Sequence, residues 1–80
     1  MDINSAVRNR IDELRKAKRW KVQPLAEYSG IPVTTLRNIL LGRTKNAGIA
    51  TIKKICDGLG VTIIEFFDTQ EFENLEQEIK

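Results

Sequence analysis

Residues 25–42 read LAEYSGIPVTTLRNILLG, and their punctuation is glycine and proline. The run over 22–29 predicts a short helix ending at Gly30, because glycine enters the left-handed conformation that closes a helix without steric cost. Pro24 falls in the first turn of that helix, where its missing N–H is no loss. Pro32 biases Ile31 away from helix and opens a second helical run over 33–41, which Gly42 closes. Ala26 is small on the inner face of the first of these helices. Leu25, Ile31, Leu36 and Ile39 are apolar where the two helices must pack. The stretch therefore predicts two short helices locked together across a tight glycine turn.

Outward from this centre, apolar positions keep a helical period and no stretch alternates cleanly enough for a strand. Upstream, Ile3, Val7, Ile11 and Leu14 form one stripe of a helix from about 4 to 18, whose other faces carry Arg8, Arg10, Arg15, Lys16, Lys18 and Arg19. Downstream, GRTKNAG at 42–48 is a polar, basic, glycine-bounded loop. A helix over about 49–58 follows, with Ile49, Ile52, Ile55, Cys56 and Leu59 on one face and Gly58 and Gly60 ending it. Thr62 and Glu65 have capping-box spacing, and Val61 can staple to Phe66, so a further helix starts near 63. The last twelve residues, TQEFENLEQEIK, set Phe72, Leu75 and Ile79 at helical spacing among four glutamates, which admits a short sixth helix. The expected architecture is all-α: a compact five-helix bundle with a short C-terminal sixth helix. It divides into a body over 1–68 and an acidic tail over 69–80.

Length and composition remove whole classes of function. An 80-residue chain buries only a little over about 60% of its unfolded surface and supports one core. With no histidine and one cysteine, a zinc site, a histidine general base and a disulfide framework are all unavailable. No apolar run approaches the ~20 residues of a spanning helix, and the first residues do not resemble a signal peptide. The expectation is a cytoplasmic protein without membrane association, cofactor, metal or enzymatic activity.

The near-neutral net charge of +2 hides an asymmetry. Residues 1–21 hold seven basic and three acidic groups, 22–60 hold five and two, and 61–80 hold one and six. The basic body suits a polyanionic partner; the acidic tail needs another role.

A pair of short helices around a glycine turn, with a small residue at the crossing, is the helix-turn-helix pattern, whose second helix lies in the major groove of DNA. A helical bundle with Ala and Gly at those places by chance is the plainer alternative. From about Ile11 to Phe67 the sequence also resembles the Cro and phage-repressor type of helix-turn-helix, the XRE family. The resemblance rests on LAEYSGIPVTTLRNILLG and on IATIKKICDGLGVTIIEFF, in the family's order and spacing. It implies a five-helix bundle of the lambda-repressor type. It further implies a sequence-specific transcriptional regulator, usually a repressor, that binds double-stranded DNA as a homodimer on a palindromic operator.

Carried over by position, the resemblance puts base reading at Val33, Thr34, Arg37 and Asn38. These positions are also expected to point away from the core that Leu36 and Ile39 face. Arg37 suits guanine O6 and N7, Asn38 suits adenine, and Val33 and the Thr34 methyl suit a thymine methyl. Solvated surface or phosphate contact alone is the alternative for Arg37 and Asn38. Phosphate contacts are expected from the start of the second helix, Lys21 and Gln23, and from the loop residues Arg43, Thr44, Lys45 and Asn46. Backbone N–H groups at the start of the fourth helix add an anion site. The chain departs from the family at Lys21, Val22 and Pro32, where side-chain caps are missing.

Leu40, Leu41, Ile63, Ile64, Phe66, Phe67, Phe72, Leu75 and Ile79 are more apolar groups than one small core needs, so some are expected in a dimer interface, which the family places around the fifth helix: Ile63, Ile64, Phe67, Phe72 and Leu75. Packing of the tail on its own domain is the alternative. A second function is an antitoxin-like module whose tail binds a protein partner. Cys56 reads as an inert core thiol, and Trp20 as a plug between the first two helices. Tyr28 either packs by its ring or reaches phosphate by its hydroxyl.

Overall fold

The computed structural model describes residues 1–79, and among these no strand occurs. Six helices follow one another: α1 Ile3–Ala17, α2 Val22–Ser29, α3 Val33–Leu40, α4 Ile49–Leu59, α5 Ile63–Phe67 and α6 Gln70–Glu73. The radius of gyration is 12.1 Å, close to the roughly 12 Å of a compact single domain of this length.

Local chemistry sets the ends. Asp2, not anticipated as a cap, accepts the Ser5 N–H at 2.9 Å and starts α1. That hydrogen bond, with the Ser5 side chain and then the N-terminal ammonium, holds the Asp2 carboxyl below its usual range. Gly30, Gly42 and Gly60 all have positive φ. Each closes a helix with paired back-bonds, as in Ile31 N–H to Ala26 O at 3.1 Å, Arg43 N–H to Asn38 O at 2.9 Å and Val61 N–H to Cys56 O at 3.0 Å. α1 ends the same way but with Arg19 at φ 59°, a conformation that costs a residue with a Cβ about 1 kcal/mol. At α5 both halves of the capping box form, Glu65 N–H to Thr62 Oγ1 at 3.0 Å and Thr62 N–H to Glu65 Oε1 at 2.8 Å.

The core joins Val7 and Ile11 of α1, Leu25 and Ala26 of α2, Leu36 and Ile39 of α3, Ile52, Ile55, Cys56 and Leu59 of α4, and Phe66 of α5. Burial pushes the Cys56 thiol up from its ordinary value, as expected of an inert core group. α2 packs most extensively on α4, and α3 rests on α1 and α2. α2 and α4 come close where Ser29 faces Gly58. A Cβ on Gly58 would lie 2.9 Å from the Ser29 backbone N and 3.0 Å from its Cα.

That contact corrects the reading of Gly58 as a helix end: it lies inside α4, and Gly60 alone makes the turn. Ile49 is also corrected. It is 67% exposed, because at 100° per residue it sits about 70° from the centre of the face shared by Ile52, Ile55, Cys56 and Leu59. The tail forms its short helix, but only as the single turn α6, and residues 74–79 are not helical. Clustered glutamates repel one another and sit badly at a helix C-terminus. Ile79, expected on an apolar face, is 88% exposed, and Lys80 of that expected helix lies outside the described residues. Phe72 packs within its own chain, 4.8 Å from the Phe67 ring and 6.1 Å from the Phe66 ring.

Candidate nucleic-acid interface

On α3 the residues separate by face as helical geometry requires. Leu36 and Ile39 are buried, Leu40 is packed against the core, and Thr34 and Arg37 are exposed. Asn38 is half-buried. Val33 is half-buried and packed against the core, contrary to the expectation that it points away, because it lies one turn before Leu36 on the same face. Leu41, 57% exposed, continues the outer face from Thr34 and Arg37. The i, i+3, i+7 spacing of these three residues places Leu41 on that face, whereas the sequence marks it only as one of several surplus apolar groups.

The loop after α3 is anchored at its root by Asn38, whose carbonyl accepts both the Arg43 N–H and, at 3.3 Å, the Thr44 N–H. Arg43, Lys45 and Asn46 are exposed and Thr44 is half-buried. The loop leads into α4 through Gly48, and α4 has neither a side-chain cap nor an acidic residue in its first turn. Its first N–H groups are open to an anion. α2 begins at Lys21 without a side-chain cap, as the departure from the family pattern predicts. Lys21 and Gln23 are exposed there, with Gln23 Nε2 donating to Glu27 Oε1 at 3.4 Å.

The cations divide into two groups. On α1, Arg15 pairs with Asp12 at 2.9 Å and donates to the Trp20 carbonyl at 2.7 Å. Arg10 pairs with Glu13 and donates at 2.8 Å to both the Phe66 and Glu65 carbonyls, fastening α1 to the end of α5. Among the described residues, Lys21, Arg37, Arg43 and Lys45 have no acidic partner within 4.0 Å. Arg8, Lys16, Lys18, Arg19 and Lys54 likewise lack an acidic partner among the described residues, so the positive charge of α1 is only partly structural. What sets Lys21, Arg37, Arg43 and Lys45 apart is their place at the start of α2, on α3 and in the loop after it. Trp20 packs between α1 and α2 as expected, stacked on Tyr28 at 4.8 Å, with Lys18 Nζ 5.0 Å from its ring.

A helix-turn-helix family model matches residues 11–66, most of the chain. The chain belongs to the XRE-type helix-turn-helix family. It is therefore a DNA-binding transcription regulator of that type, a regulatory rather than an enzyme family. In this family member α2 and α3 form the helix-turn-helix, with Gly30 as the turn. No curated protein and no solved structure matched the chain. No described helix is long and apolar enough to cross a membrane.

Proposed function

We propose that the protein is a repressor that binds a palindromic operator in double-stranded DNA as a homodimer, in the cytoplasm and without a cofactor. α3 enters the major groove, where Arg37 pairs with guanine, Asn38 with adenine, and the Thr34 methyl meets thymine. Val33 contributes only the edge that the core leaves open. Lys21 and Gln23 at the start of α2, with Arg43, Thr44, Lys45 and Asn46 in the loop, meet the backbone phosphates. The observation that carries this reading is the set of uncommitted cations on α2, α3 and the loop, beside an α3 face whose reverse side is buried.

Dimerisation uses α5. Ile64 is 79% exposed, and with Ile63, Val61 and Gly60 it borders an apolar groove beside α4. Phe67 is half-buried beside it. Phe72 contributes less, since its ring is already packed on Phe66 and Phe67; Leu75 is half-buried like Phe67. Two-fold symmetry then sets the recognition helices about 34 Å apart. Packing of Phe72 on Phe66 and Phe67 supports an intramolecular role for the first turn of the tail over capture of a protein partner.

Duplex binding measured against salt tests the reading. If the dimer neutralises about six phosphates, affinity falls on the order of a thousandfold between about 50 and 200 mM salt. A flat response would contradict it.

A further inference from the structure

We infer that Arg8, on α1, is a DNA-phosphate ligand, and that the pocket it lines seats one backbone phosphate beside the loop after α3. The pocket has a volume of about 210 Å³ and lies between the start of α1 and the loop, bordered by Arg8, Ser5, Asn4, Thr44, Lys45 and Asp2. It is much larger than the roughly 10–15 Å³ that one water requires, so a tetrahedral oxyanion has room.

Arg8 is built into this place. A Cβ at Gly42 would lie 2.6 Å from Arg8 Nη1, so the guanidinium lies directly over the turn that ends α3. Yet Arg8 makes little use of its donors. Among the described residues its one hydrogen bond is a long one, Nη2 to Ser5 Oγ at 3.4 Å, and no carboxylate lies within 4.0 Å. A guanidinium has five N–H donors and is always charged, so four remain for a ligand. Capping α3 is not its task, because the Ile39 carbonyl already accepts Gly42 N–H at 3.1 Å and the Asn38 carbonyl accepts two loop N–H groups.

Chemistry selects the ligand. Two cations, Arg8 and Lys45, line the pocket together with the hydroxyl-bearing Ser5 and Thr44, residue types suited to phosphate oxygens. Among the described residues Asp2 is the one carboxylate on the wall. It caps α1 through the Ser5 hydrogen bonds that chiefly hold its carboxyl below the usual range, and the Arg8 charge also helps to hold it there, so Asp2 offsets part of the pocket's positive charge. Continuity with Thr44 and Lys45 favours a phosphate of the DNA backbone over a free one. The inference rests on the proposed DNA-binding reading and adds to it a cation that the helix-turn-helix itself does not supply.

Three variants test it on the full chain, with a selected duplex as probe and melting curves to verify folding. Arg8→Gln is expected to weaken binding about tenfold at low salt and to reduce the slope of log affinity against log salt by about 0.9 per protomer. Arg8→Lys restores the slope. Asp2→Asn retains the cap, since Asn and Asp cap equally well, and should tighten binding about two- to fivefold by removing the opposing charge. It decides the matter even if Arg8→Gln folds poorly. Unchanged affinity and slope in Arg8→Gln, or no gain in Asp2→Asn, would overturn the inference while leaving operator binding by the wild type intact. A wild type that selects no duplex would overturn both. Inorganic phosphate titrated at constant ionic strength gives the other arm: Arg8-dependent phosphate binding with unaltered DNA affinity would make the pocket a free-phosphate site and refute the assignment to DNA.

Discussion

Gly58 occupies a helix interior, where glycine costs about 1 kcal/mol relative to alanine, and the structure shows what that cost obtains. The backbone of Ser29 comes so near that α2 and α4 could not keep their spacing around a side chain. The Ser29 hydroxyl is buried at this crossing without a hydrogen-bond partner among the described residues. Gly58→Ala should therefore destabilise the fold by about 1–3 kcal/mol despite its better helix propensity, measured by urea unfolding. A stabilised variant would mean that the crossing is looser than described. Because α2 also packs on α3, this contact bears on how α3 is held. Sequence alone could not distinguish Gly58 from Gly60: both are glycines near a helix end, and only the neighbouring helix assigns one to packing and the other to the turn.

Helix limits were legible wherever the signal was local. Gly30, Gly42 and Gly60 take the positive φ that their positions imply, and Thr62 and Glu65 form both bonds of their capping box. The capping box carries a pH dependence with a definite sign. Hydrogen bonds from the Thr62 backbone N–H first, and then its side chain, hold the Glu65 carboxyl below its ordinary value of 4.5. Its stabilisation is fully present above the unfolded value and is lost as pH falls through the lower folded value. Glu65→Gln, which retains the capping geometry, should flatten the fall in Tm between about pH 5 and 3; an unchanged profile would remove the capping box as its cause.

Part of what was missed was local and could have been computed from helix geometry, and part depended on neighbours. Ile49 lies at the margin of its helix face, Val33 is drawn inward beside Leu36, and the tail stops after one turn among its glutamates. Phe72 is of the second kind, since its partners Phe66 and Phe67 lie on another element. Truncation after Asp68 should cost about 1–2 kcal/mol by uncovering those rings, seen as a lower Tm. No loss would mean that the tail is energetically detached from its own domain.

Across the whole molecule, the total charge of +2 is a near-cancellation with a spatial order. Arg10 and Arg15 are committed within the fold, the acidic residues concentrate beyond Gly60, and Arg37, Arg43 and Lys45, on α3 and in the loop after it, have no acidic partner among the described residues. The bundle was foreseeable from its period and its glycines. The assignment of cations was not, because pairing is a property of neighbouring elements, and Arg8 was hidden for the same reason. The central claim is that the outer face of α3 reads base sequence. Selection from random duplexes by the wild-type protein and by Arg37→Ala tests it most directly. The wild type should select a palindrome with half-sites about one helical turn apart. Arg37→Ala should lose one guanine preference in each half-site, worth about 1–3 kcal/mol of discrimination, while binding elsewhere in the motif persists. Selection of the same motif by both proteins would contradict the account.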